Sequence, residues 1–448
     1  MAVWQPRTSF AFTPDGARVA YQVVGSGDRD VVFLTDWAHS IDLMWELPEI
    51  ERFLRRLASI GRLILFDKRG NGASDGRVFG SEDFQGVVEQ SAEDLLAVLD
   101  AVESERADLV ASTAGGTTAV LFAATHPERC GRLVLQDACP RVVSSPEYPH
   151  GLDAMELQAV IEGIRSGWGK GSALAQQPDR FEDRDLRLWY GRYERLAVER
   201  SWMVQAWEQI AVVDVRAILA SVQAPTLLLV HDKAPAFGNG HGRYLVEHMP
   251  SAELVELPGP GCLFWADAQI VDAAVAYLGA AKSGVVDESR VLATIVMTDM
   301  VSSTLTLAEM GDHRWREVLD AHDRVTGQLV TQFRGRLVNR TGDGLVATFD
   351  GPARGVRCAE AMCGEVGVLG VEVRAGVHVG EIELRGDEIG GIAVHLAARV
   401  MSEADAGQVV VTRTVKDLTA GSGLSFDDMG MRELKGIPDP WQLLVLKH

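Results

Sequence analysis

The sequence predicts an α/β chain with two domains of different sheet architecture. Its 448 residues are too many for one typical domain. Over about residues 8–135 short apolar runs alternate with helical patterns, which is typical of a parallel sheet covered on both faces. A small, polar stretch at residues 279–290 precedes a second pattern of strands and helices. We therefore expect one domain over 1–280, a linker over 281–290 and a second domain over 291–448.

The elements of the first domain are predicted in the following order. RVAYQVV and DVVFLTD are strands, ELPEIERFLRRLASIG is a helix and RLILFD is a buried strand. SAEDLLAVLDAV has the apolar spacing of an amphipathic helix, and the strands ADLVAS and RLVLQDA follow it. Residues 145–220 carry many charges and no strand pattern, so we expect a helical cap inserted over the C-terminal edge of the sheet. APTLLLVHD and AELVELPG resume the sheet, and the helix AQIVDAAVAYLGAA ends the domain.

The second domain is predicted to start with the buried strand VLATIVMTD. The helix HRWREVLDAHDRVTGQLVTQF follows, and then two strands around RTGDG. One helical stripe of apolar side chains in this segment is expected to face the core; it comprises Trp315, Val318, Leu319, Val325, Leu329 and Phe333.

The composition limits the classes of function. Hydrophobic residues make up 47% and charged residues 24%, as in ordinary globular proteins. A formal charge of −20 argues against a nucleic-acid surface, which would need a basic footprint. The five cysteines show no metal-ligand spacing and fit a reducing compartment. Because no signal peptide or long apolar run is apparent, we expect a cytoplasmic protein without a membrane span.

The segment VASTAGGTTAV has the layout of a nucleophile turn, in which a buried strand meets a helix at a corner of small residues. Such corners have the pattern Gly-x-Ser-x-Gly. Here the central position is Thr113, and Ser112 lies one place early. The extra methyl group of threonine crowds a strained turn, so the corner departs from the pattern that hydrolysis needs.

The other two members of a hydrolytic triad also deviate. The acid and the histidine base should follow the nucleophile in that order. The acid position falls near Ala234, with Asp232 about two residues early, and the histidine position is Cys262 in LPGPGCLFWAD. The segment TDWAHS, where the oxyanion loop is expected, is also atypical. We therefore expect a degenerate triad at Thr113, Ala234 and Cys262, with a buried apolar role for Cys262 rather than a reactive thiol.

The sequence leaves two alternatives for the first domain. Ser112 could act as a shifted nucleophile with His231 or His241 as its base. A domain without its triad still offers a pocket between the sheet and the cap, which suits a small apolar ligand. The domain would then sense that ligand, help dimerisation or act as a passive scaffold.

Two carboxylates of the second domain have the placement of a metal site. Asp299 ends a buried strand, and Asp343 lies in an Asp-Gly turn between apolar alternations, which predicts a hairpin. A strand end and an adjacent hairpin tip can share one or two hard cations, and Mg²⁺ completes its shell with substrate phosphates. Asp-Gly is also the commonest hairpin turn, so Asp299 and Asp343 alone do not establish a metal site.

Five ordered motifs in this domain resemble class III nucleotide cyclases. They are TDMVSST, VNRTGDGLVATF, VRAGVHVGEIEL, EIGGIAVHLAAR and ELKGI, and together they cover about residues 290–446. A cyclase domain of this family has a ferredoxin-like α+β fold. An α/β-hydrolase-like N-terminus joined to such a domain resembles a group of actinobacterial adenylyl cyclases, of which FDKRGNGASD is also typical.

The resemblance implies roles for five matching residues. Asp299 and Asp343 match the two metal aspartates, which hold two Mg²⁺ or Mn²⁺ ions per site. Arg374 matches an arginine that faces the phosphates, Arg399 the arginine that stabilises the transition state, and Lys435 a lysine on the terminal phosphates. In this family the metals come from one domain and the Arg399 and Lys435 positions from another. One cyclase domain per chain therefore implies a homodimer with two equivalent sites.

Three positions depart from the family pattern. Asn339 occupies the position of the lysine that reads adenine, Glu388 that of its aspartate partner, and His395 that of the transition-state asparagine. The amide of Asn339 and the carboxylate of Glu388 can pair with adenine, and also with guanine. His395 can replace an asparagine donor or serve only as an interface histidine.

The sequence therefore predicts an adenylyl cyclase that converts ATP to 3′,5′-cyclic AMP and pyrophosphate. A guanylyl or mixed-specificity cyclase is the alternative within this class. An esterase-type hydrolase with a degenerate cyclase domain is the alternative from another class.

Overall fold

Two eight-stranded sheets organise the chain, one in each of two units, and both are described here from a computed structural model. The first unit holds Met1–Phe79 and Gln90–Val286, and the second holds Gly80–Glu89 and Asp287–His448. The structure describes residues 6–35, 38–76, 86–176, 178–210, 213–234, 238–259, 261, 263–280, 290–301, 303, 307, 310–385 and 388–447. Cys262 and linker residues 281–289 lie outside the described residues.

Apolar runs form the first sheet in the order β1-β2-β4-β3-β5-β6-β7-β8. Strands β3 to β8 run parallel to their neighbours, whereas the β1–β2 and β2–β4 pairs are antiparallel. All residues of β3, β5 and β7 are buried, as expected for strands covered on both faces. The strands are β1 Ser9–Phe12, β2 Arg18–Val24, β3 Asp30–Leu34, β4 Arg62–Phe66, β5 Ala107–Ser112, β6 Cys130–Gln136, β7 Thr226–His231 and β8 Ala252–Leu257.

The helices of the first unit include the cap that the sequence predicts. Between residues 145 and 220 the described backbone forms helices and isolated bridges, and no strand. The cap contacts the loops at the strand ends, because Gly72 N donates to Ala197 O and Ser40 N donates to the Tyr193 hydroxyl. The helices are α1 Pro48–Leu57, α2 Val87–Ala101, α3 Gly115–Thr125, α4 Ala154–Gly167, α5 Pro178–Phe181, α6 Arg184–Ala197, α7 Arg200–Ile210, α8 Asn239–His248 and α9 Ala268–Gly279.

The second unit is built on a βαββαβ core with a ferredoxin-like strand order. Its sheet runs β10-β11-β9-β12-β14-β16-β15, and β13 pairs with β12. The strands are β9 Arg290–Met300, β10 Arg336–Arg340, β11 Gly344–Phe349, β12 Val373–Arg385, β13 Glu388–Gly390, β14 Val409–Thr412, β15 Phe426–Arg432 and β16 Trp441–Leu446. The helices are α10 Asp312–Gln332, α11 Pro352–Gly367, α12 Ile392–Ser402 and α13 Arg413–Leu418.

Strand β9 contributes to the core on both of its faces. Ile295 and Met297 pack with Ala397 of α12. Met300, at the end of β9, belongs to a cluster against which Trp315 and Val318 of α10 pack, so the predicted apolar stripe faces the core there. The strand therefore has a fixed position, and so have the polar residues at its end.

Within the described ranges, no helix is both long and apolar enough to cross a membrane.

Candidate active site

The two aspartates of the predicted metal site lie on neighbouring strands of the second sheet. Asp299 is the penultimate residue of β9, and Asp343 lies in the turn between β10 and β11. Gly344 pairs directly with Asp299, so Asp343 is one residue from the cross-strand partner of Asp299. A Cβ atom on Gly344 would lie 2.1 Å from the carbonyl oxygen of Thr298. Only glycine permits this approach, which brings the hairpin tip beside the end of β9.

Arg374 is the cross-strand partner of Asp299 on its other side. It pairs with Asp299 in the β12–β9 register. Its Nε and Nη2 atoms donate to Asp299 Oδ2 over 3.2 and 2.7 Å. The sequence predicted an arginine that faces phosphates, and it gave no sign of this ion pair. The pair depends on strand register, which a motif does not reveal.

The donor set suits a hard divalent cation. The carboxylate of Asp343 makes no hydrogen bond or ion pair with the residues that the structure describes. Within the same residues, no group of three or more histidine, cysteine or carboxylate side chains could hold a metal by itself. Mg²⁺ is usually bound through one or two carboxylates and takes further oxygens from substrate phosphates and water. Asp299 and Asp343 therefore fit a cation that arrives with, or is completed by, a polyphosphate.

Helix α12 presents His395 and Arg399 on one exposed face. Their separation of one helical turn puts the two side chains on the same side, while Leu396 and Ala397 are buried. A Cβ atom on Gly376 of β12 would lie 2.2 Å from the Met401 backbone nitrogen. This close approach fixes α12 against β12 and so fixes the direction of the exposed face.

Lys435 lies on a turn that follows β15. The side chain is exposed, whereas Leu434 beside it is buried in a small core with Val410 and Leu443. The buried leucine anchors the turn, and the lysine extends from it into solvent. This arrangement leaves the ammonium group accessible to an external anion.

Asn339 lies at an irregularity of the β10–β11 ladder. The register shifts between Leu337 and Asn339, and Asn339 Oδ1 accepts a hydrogen bond of 2.8 Å from Arg340 N. Arg340 is itself tied to Asp323 of α10, because its Nη1 and Nη2 atoms donate to Oδ1 and to the backbone oxygen over 2.7 Å each. The amide oxygen of Asn339 thus holds one hydrogen bond, and its NH₂ group can donate to a ligand. The Arg340–Asp323 tether is not apparent from the sequence.

Glu388 lies beside β12, at the opposite end of that strand from Arg374. It opens β13 and pairs with Arg385 near one end of β12. Asp299 pairs with Arg374 near the other end of this 13-residue strand. Strand β13 also contacts β10, the strand that carries Asn339.

The nucleophile turn of the first unit keeps its shape without a catalytic partner. Thr113 has φ 45°, a strained value for a β-branched residue, and begins the turn from β5 into α3. The hydroxyls of Thr113 and Ser112 are both buried, and neither has a hydrogen-bond partner. A hydroxyl nucleophile requires a base within hydrogen-bond reach, and the described residues offer none to either side chain.

The two candidate bases are engaged elsewhere in the same unit. His231 Nδ1 lies 2.8 Å from Asp137 Oδ2, and its Nε2 lies 3.5 Å from Asp267 Oδ2. His241 Nδ1 lies 2.5 Å from the hydroxyl of Tyr148. The alternative with Ser112 as nucleophile therefore has no support in this geometry.

Asp137 is a buried carboxylate that the sequence interpretation missed. It follows β6 directly, with φ 45°, and also accepts a hydrogen bond from His231 N. The Gln-Asp step after an apolar run was its only sequence signal. Ala234 is buried and Asp232 accepts from Gly259 N, so neither provides an acid for Thr113. The position of Cys262 lies outside the described residues.

The segment FDKRGNGASD has a structural role in the first unit. The buried carboxylate of Asp67 accepts hydrogen bonds from the backbone nitrogens of Ile41 and Ala73, and burial raises its pKa to about 7. Its neighbour Arg69 donates to Asp94 over 2.6 Å. These contacts tie the loops that follow β3 and β4 to each other and to α2.

Comparison with known proteins relates the first unit to hydrolases. The family model described as alpha/beta hydrolase fold matches residues 31–266. A serine hydrolase BPHL from Mus musculus is 25% identical over 257 residues, which cover 56% of this chain and 79% of that protein. An esterase (EaEST) from Exiguobacterium antarcticum has a TM-score of 0.53 at 22% identity, over 61% of this chain and all of that chain. The similarity to this esterase concerns the fold alone.

The C-terminal part has relatives of another class. A putative adenylate cyclase 3 from Rhizobium meliloti (strain 1021) is 30% identical over 167 residues, which cover 34% of this chain and 27% of that protein. The match therefore spans about a quarter of that relative's length.

Proposed function

The chain belongs to the alpha/beta hydrolase fold family, and we propose that its chemistry nevertheless takes place in the second unit, as an adenylyl cyclase. The observation that carries the proposal is the placement of Asp299, Asp343 and Arg374 at adjacent strand positions. Two carboxylates and an arginine fork are a donor set for a cation with a polyphosphate. The similarity of the C-terminal part to a putative adenylate cyclase supports the same class of reaction.

The chain's own residues would bind and orient the nucleotide. Asp299 and Asp343 hold Mg²⁺ or Mn²⁺, two ions per site. When bound, these ions lower the pKa of the ribose 3′-hydroxyl and offset charge on the α-phosphate. Arg399, exposed on α12, stabilises the charge that develops on the α-phosphate, with His395 as a neighbouring donor. Lys435 binds the terminal phosphates that leave as pyrophosphate.

The resemblance of the motifs to class III cyclases supports a homodimer. In that family the metal ligands come from one domain and the Arg399 and Lys435 positions from another. Two-fold pairing then gives two equivalent sites, each with metal ligands from one chain and Arg399 and Lys435 from its partner.

The base is recognised by Asn339 and Glu388. Asn339 Oδ1 already accepts a hydrogen bond from Arg340 N, and the amide NH₂ group offers donors to a base. These donors match N1 of adenine, and Glu388 accepts from the N6 amino group. The same groups match O6 and N1–H of guanine, so guanylyl or mixed activity is the alternative within this class.

The first unit has a regulatory role in this proposal. Its buried, unpartnered Thr113 and Ser112 hydroxyls support a unit that no longer hydrolyses. A small apolar ligand between the sheet and the cap would be sensed there and would tune the cyclase. An esterase with a degenerate cyclase domain is the competing function, and the hydrolase relatives are the observation that favours it.

Product analysis with ATP and GTP tests the cyclase function. We expect cyclic AMP and pyrophosphate from ATP in Mn²⁺ or Mg²⁺, and a loss of at least about 100-fold in Asp343→Asn, because a metal ligand is removed. Asp320→Asn is the matched control, since Asp320 is exposed on α10 and should leave turnover unchanged. Absence of both cyclic nucleotides with either metal would refute the cyclase function, and full activity of Asp343→Asn would refute the metal site.

A panel of ester substrates tests the competing function. We expect no turnover above background in the wild type, because no base contacts either hydroxyl. Ester turnover that disappears in Thr113→Ala or Ser112→Ala would establish the hydrolase instead.

A further inference from the structure

Arg374 and Asp299 form an ion pair at the point where a cation should bind. Two guanidinium nitrogens of Arg374, Nε and Nη2, donate to the same oxygen, Asp299 Oδ2, over 3.2 and 2.7 Å. The two side chains are 29% and 26% exposed, so the pair is partly shielded and still accessible. Among the described residues, the Arg374 and Asp299 side chains make no further hydrogen bond or ion pair.

We propose that Arg374 gates the metal site by occupying Asp299 until a divalent cation displaces it, and that the displaced guanidinium then binds the nucleotide phosphates. This inference rests on the proposed cyclase function and adds an order of events to it. A cation at Asp299 places a second positive charge beside the guanidinium, and the repulsion between the two charges favours displacement of the arginine. While it stays paired, the arginine offsets the negative charge of Asp299 at the end of β9.

Such a gate couples two ligands that do not have to touch. A cation at Asp299 releases the guanidinium, whose planar fork suits phosphate oxygens. Phosphates that attract Arg374 release Asp299 for the cation in the same way. Each ligand therefore raises the affinity for the other by the same factor, as linkage requires.

Metal binding without nucleotide tests the gate. Binding of Mn²⁺ alone to the full chain is followed by electron paramagnetic resonance of free Mn²⁺, in the wild type and in Arg374→Gln. We expect Arg374→Gln to bind Mn²⁺ about 2- to 5-fold more tightly, as for the loss of a partly exposed ion pair. Binding of α,β-methylene-ATP in saturating Mn²⁺ should weaken in the same variant. A residue that merely maintained the fold would weaken both.

Arg290→Gln is the matched control. Arg290 also lies on the β9–β12 strand pair, and its Nη1 atom contacts Glu381 over 3.2 Å. The variant therefore removes one positive charge, as Arg374→Gln does, at a position that does not contact Asp299. Any gain in Mn²⁺ affinity from net charge alone appears equally in this control. An Arg374→Gln affinity equal to that of Arg290→Gln would overturn the gate.

Asp343→Asn separates failure of the gate from failure of the cyclase function. Mn²⁺ binding that is lost in Asp343→Asn but unchanged in Arg374→Gln would refute only the gate. Absence of Mn²⁺ binding in the wild type and in Arg374→Gln would refute both the gate and the metal site.

Discussion

His231 illustrates at the scale of one residue how a buried ion pair stabilises the first unit. Burial lowers the pKa of this imidazole, but the hydrogen bond and charge of Asp137, with a further contribution from Asp267, outweigh burial and raise the pKa above 6.5. The folded chain therefore binds the proton more tightly than the unfolded chain. This contribution to stability is complete below pH 6.5 and is lost as the pH rises through the raised value.

We predict that His231→Gln destabilises the first unit most strongly at acidic pH. At about pH 5.5 the free energy of unfolding should fall by about 3 to 5 kcal/mol, because Asp137 loses its buried cationic partner. The loss should shrink towards about pH 8.5, where the imidazole is less charged. Denaturant unfolding followed by tryptophan fluorescence measures both values.

His248→Gln is the control for this pH dependence. His248 is exposed on α8 and its Nδ1 lies 2.7 Å from Tyr244 O, without a carboxylate partner among its described contacts. Its substitution should have only a small effect on the free energy of unfolding at either pH. An equal loss of stability for His231→Gln at both pH values would contradict the charged pair.

The sequence predicted where single residues of the sites lie better than it predicted which residues they contact. The Asp-Gly step located the hairpin of Asp343, and the small-residue corner located Thr113, because turns have local sequence requirements. The pairs Arg374–Asp299 and Asp137–His231 join strands that are distant in sequence. Their formation depends on register, and no local pattern encodes it.

At the scale of elements, α12 and β12 form one rigid block that carries His395 and Arg399. The block depends on Gly376, since any side chain there would collide with the Met401 backbone. Helix α12 is also anchored by the buried Leu396 and Val400. The exposed face of α12 therefore keeps its direction relative to Asp299 on β9.

We predict that Gly376→Ala disrupts this block. The added Cβ atom would lie 2.2 Å from Met401 N, so α12 must move away from β12. We expect a loss of about 2 kcal/mol or more in stability, together with most of the cyclase activity. Thermal unfolding and product formation measure the two effects.

Gly364→Ala is the matched control for Gly376→Ala. Gly364 lies inside α11, and a Cβ atom there meets nothing within 4 Å. This variant should gain about 0.5 to 1 kcal/mol from helix propensity and keep full activity. Similar behaviour of both glycine variants would show that the close approach is unimportant.

The order of elements was predictable because apolar periodicity identifies strands and helices over most of the chain. The short strand β1 was missed: its four residues pair only with β2, and Phe10 and Phe12 are exposed. Helix α2 begins earlier than its amphipathic pattern indicated. Edge strands and helix ends carry weak signals because fewer of their residues are buried.

At the scale of the whole molecule, the two units have relatives of different classes. Hydrolases match the first unit, and a putative adenylate cyclase matches the C-terminal part. The proposed activity needs two copies of the chain, because each site of the family that the motifs resemble takes residues from two cyclase domains. The actinobacterial grouping, the cytoplasmic location and the linker at 281–290 stay predictions.

We predict that two inactive variants restore activity when they are co-expressed. Asp343→Asn removes a metal ligand and Arg399→Ala removes a phosphate ligand, and a mixed dimer retains one site with both residues intact. With random pairing, half of the dimers are mixed, and one of the two sites in each mixed dimer is intact. About a quarter of wild-type activity should therefore return. Cyclic nucleotide formation per chain measures the recovery.

Asp299→Asn with Asp343→Asn is the control pair. One chain contributes both of these residues to a given site, so no mixed dimer contains an intact site. Recovery in this control, or none in the first pair, would contradict a site shared between two chains.

Thr113 has a consequence for the evolution of this chain. A β-branched residue at φ 45° destabilises the fold, and active hydrolases tolerate such strain because it exposes the nucleophile. If the turn has no catalytic role, as proposed above, selection for stability and selection for activity do not oppose each other there. Relatives with the same architecture should therefore drift freely at this position, and glycine there should be a common way of relaxing the backbone.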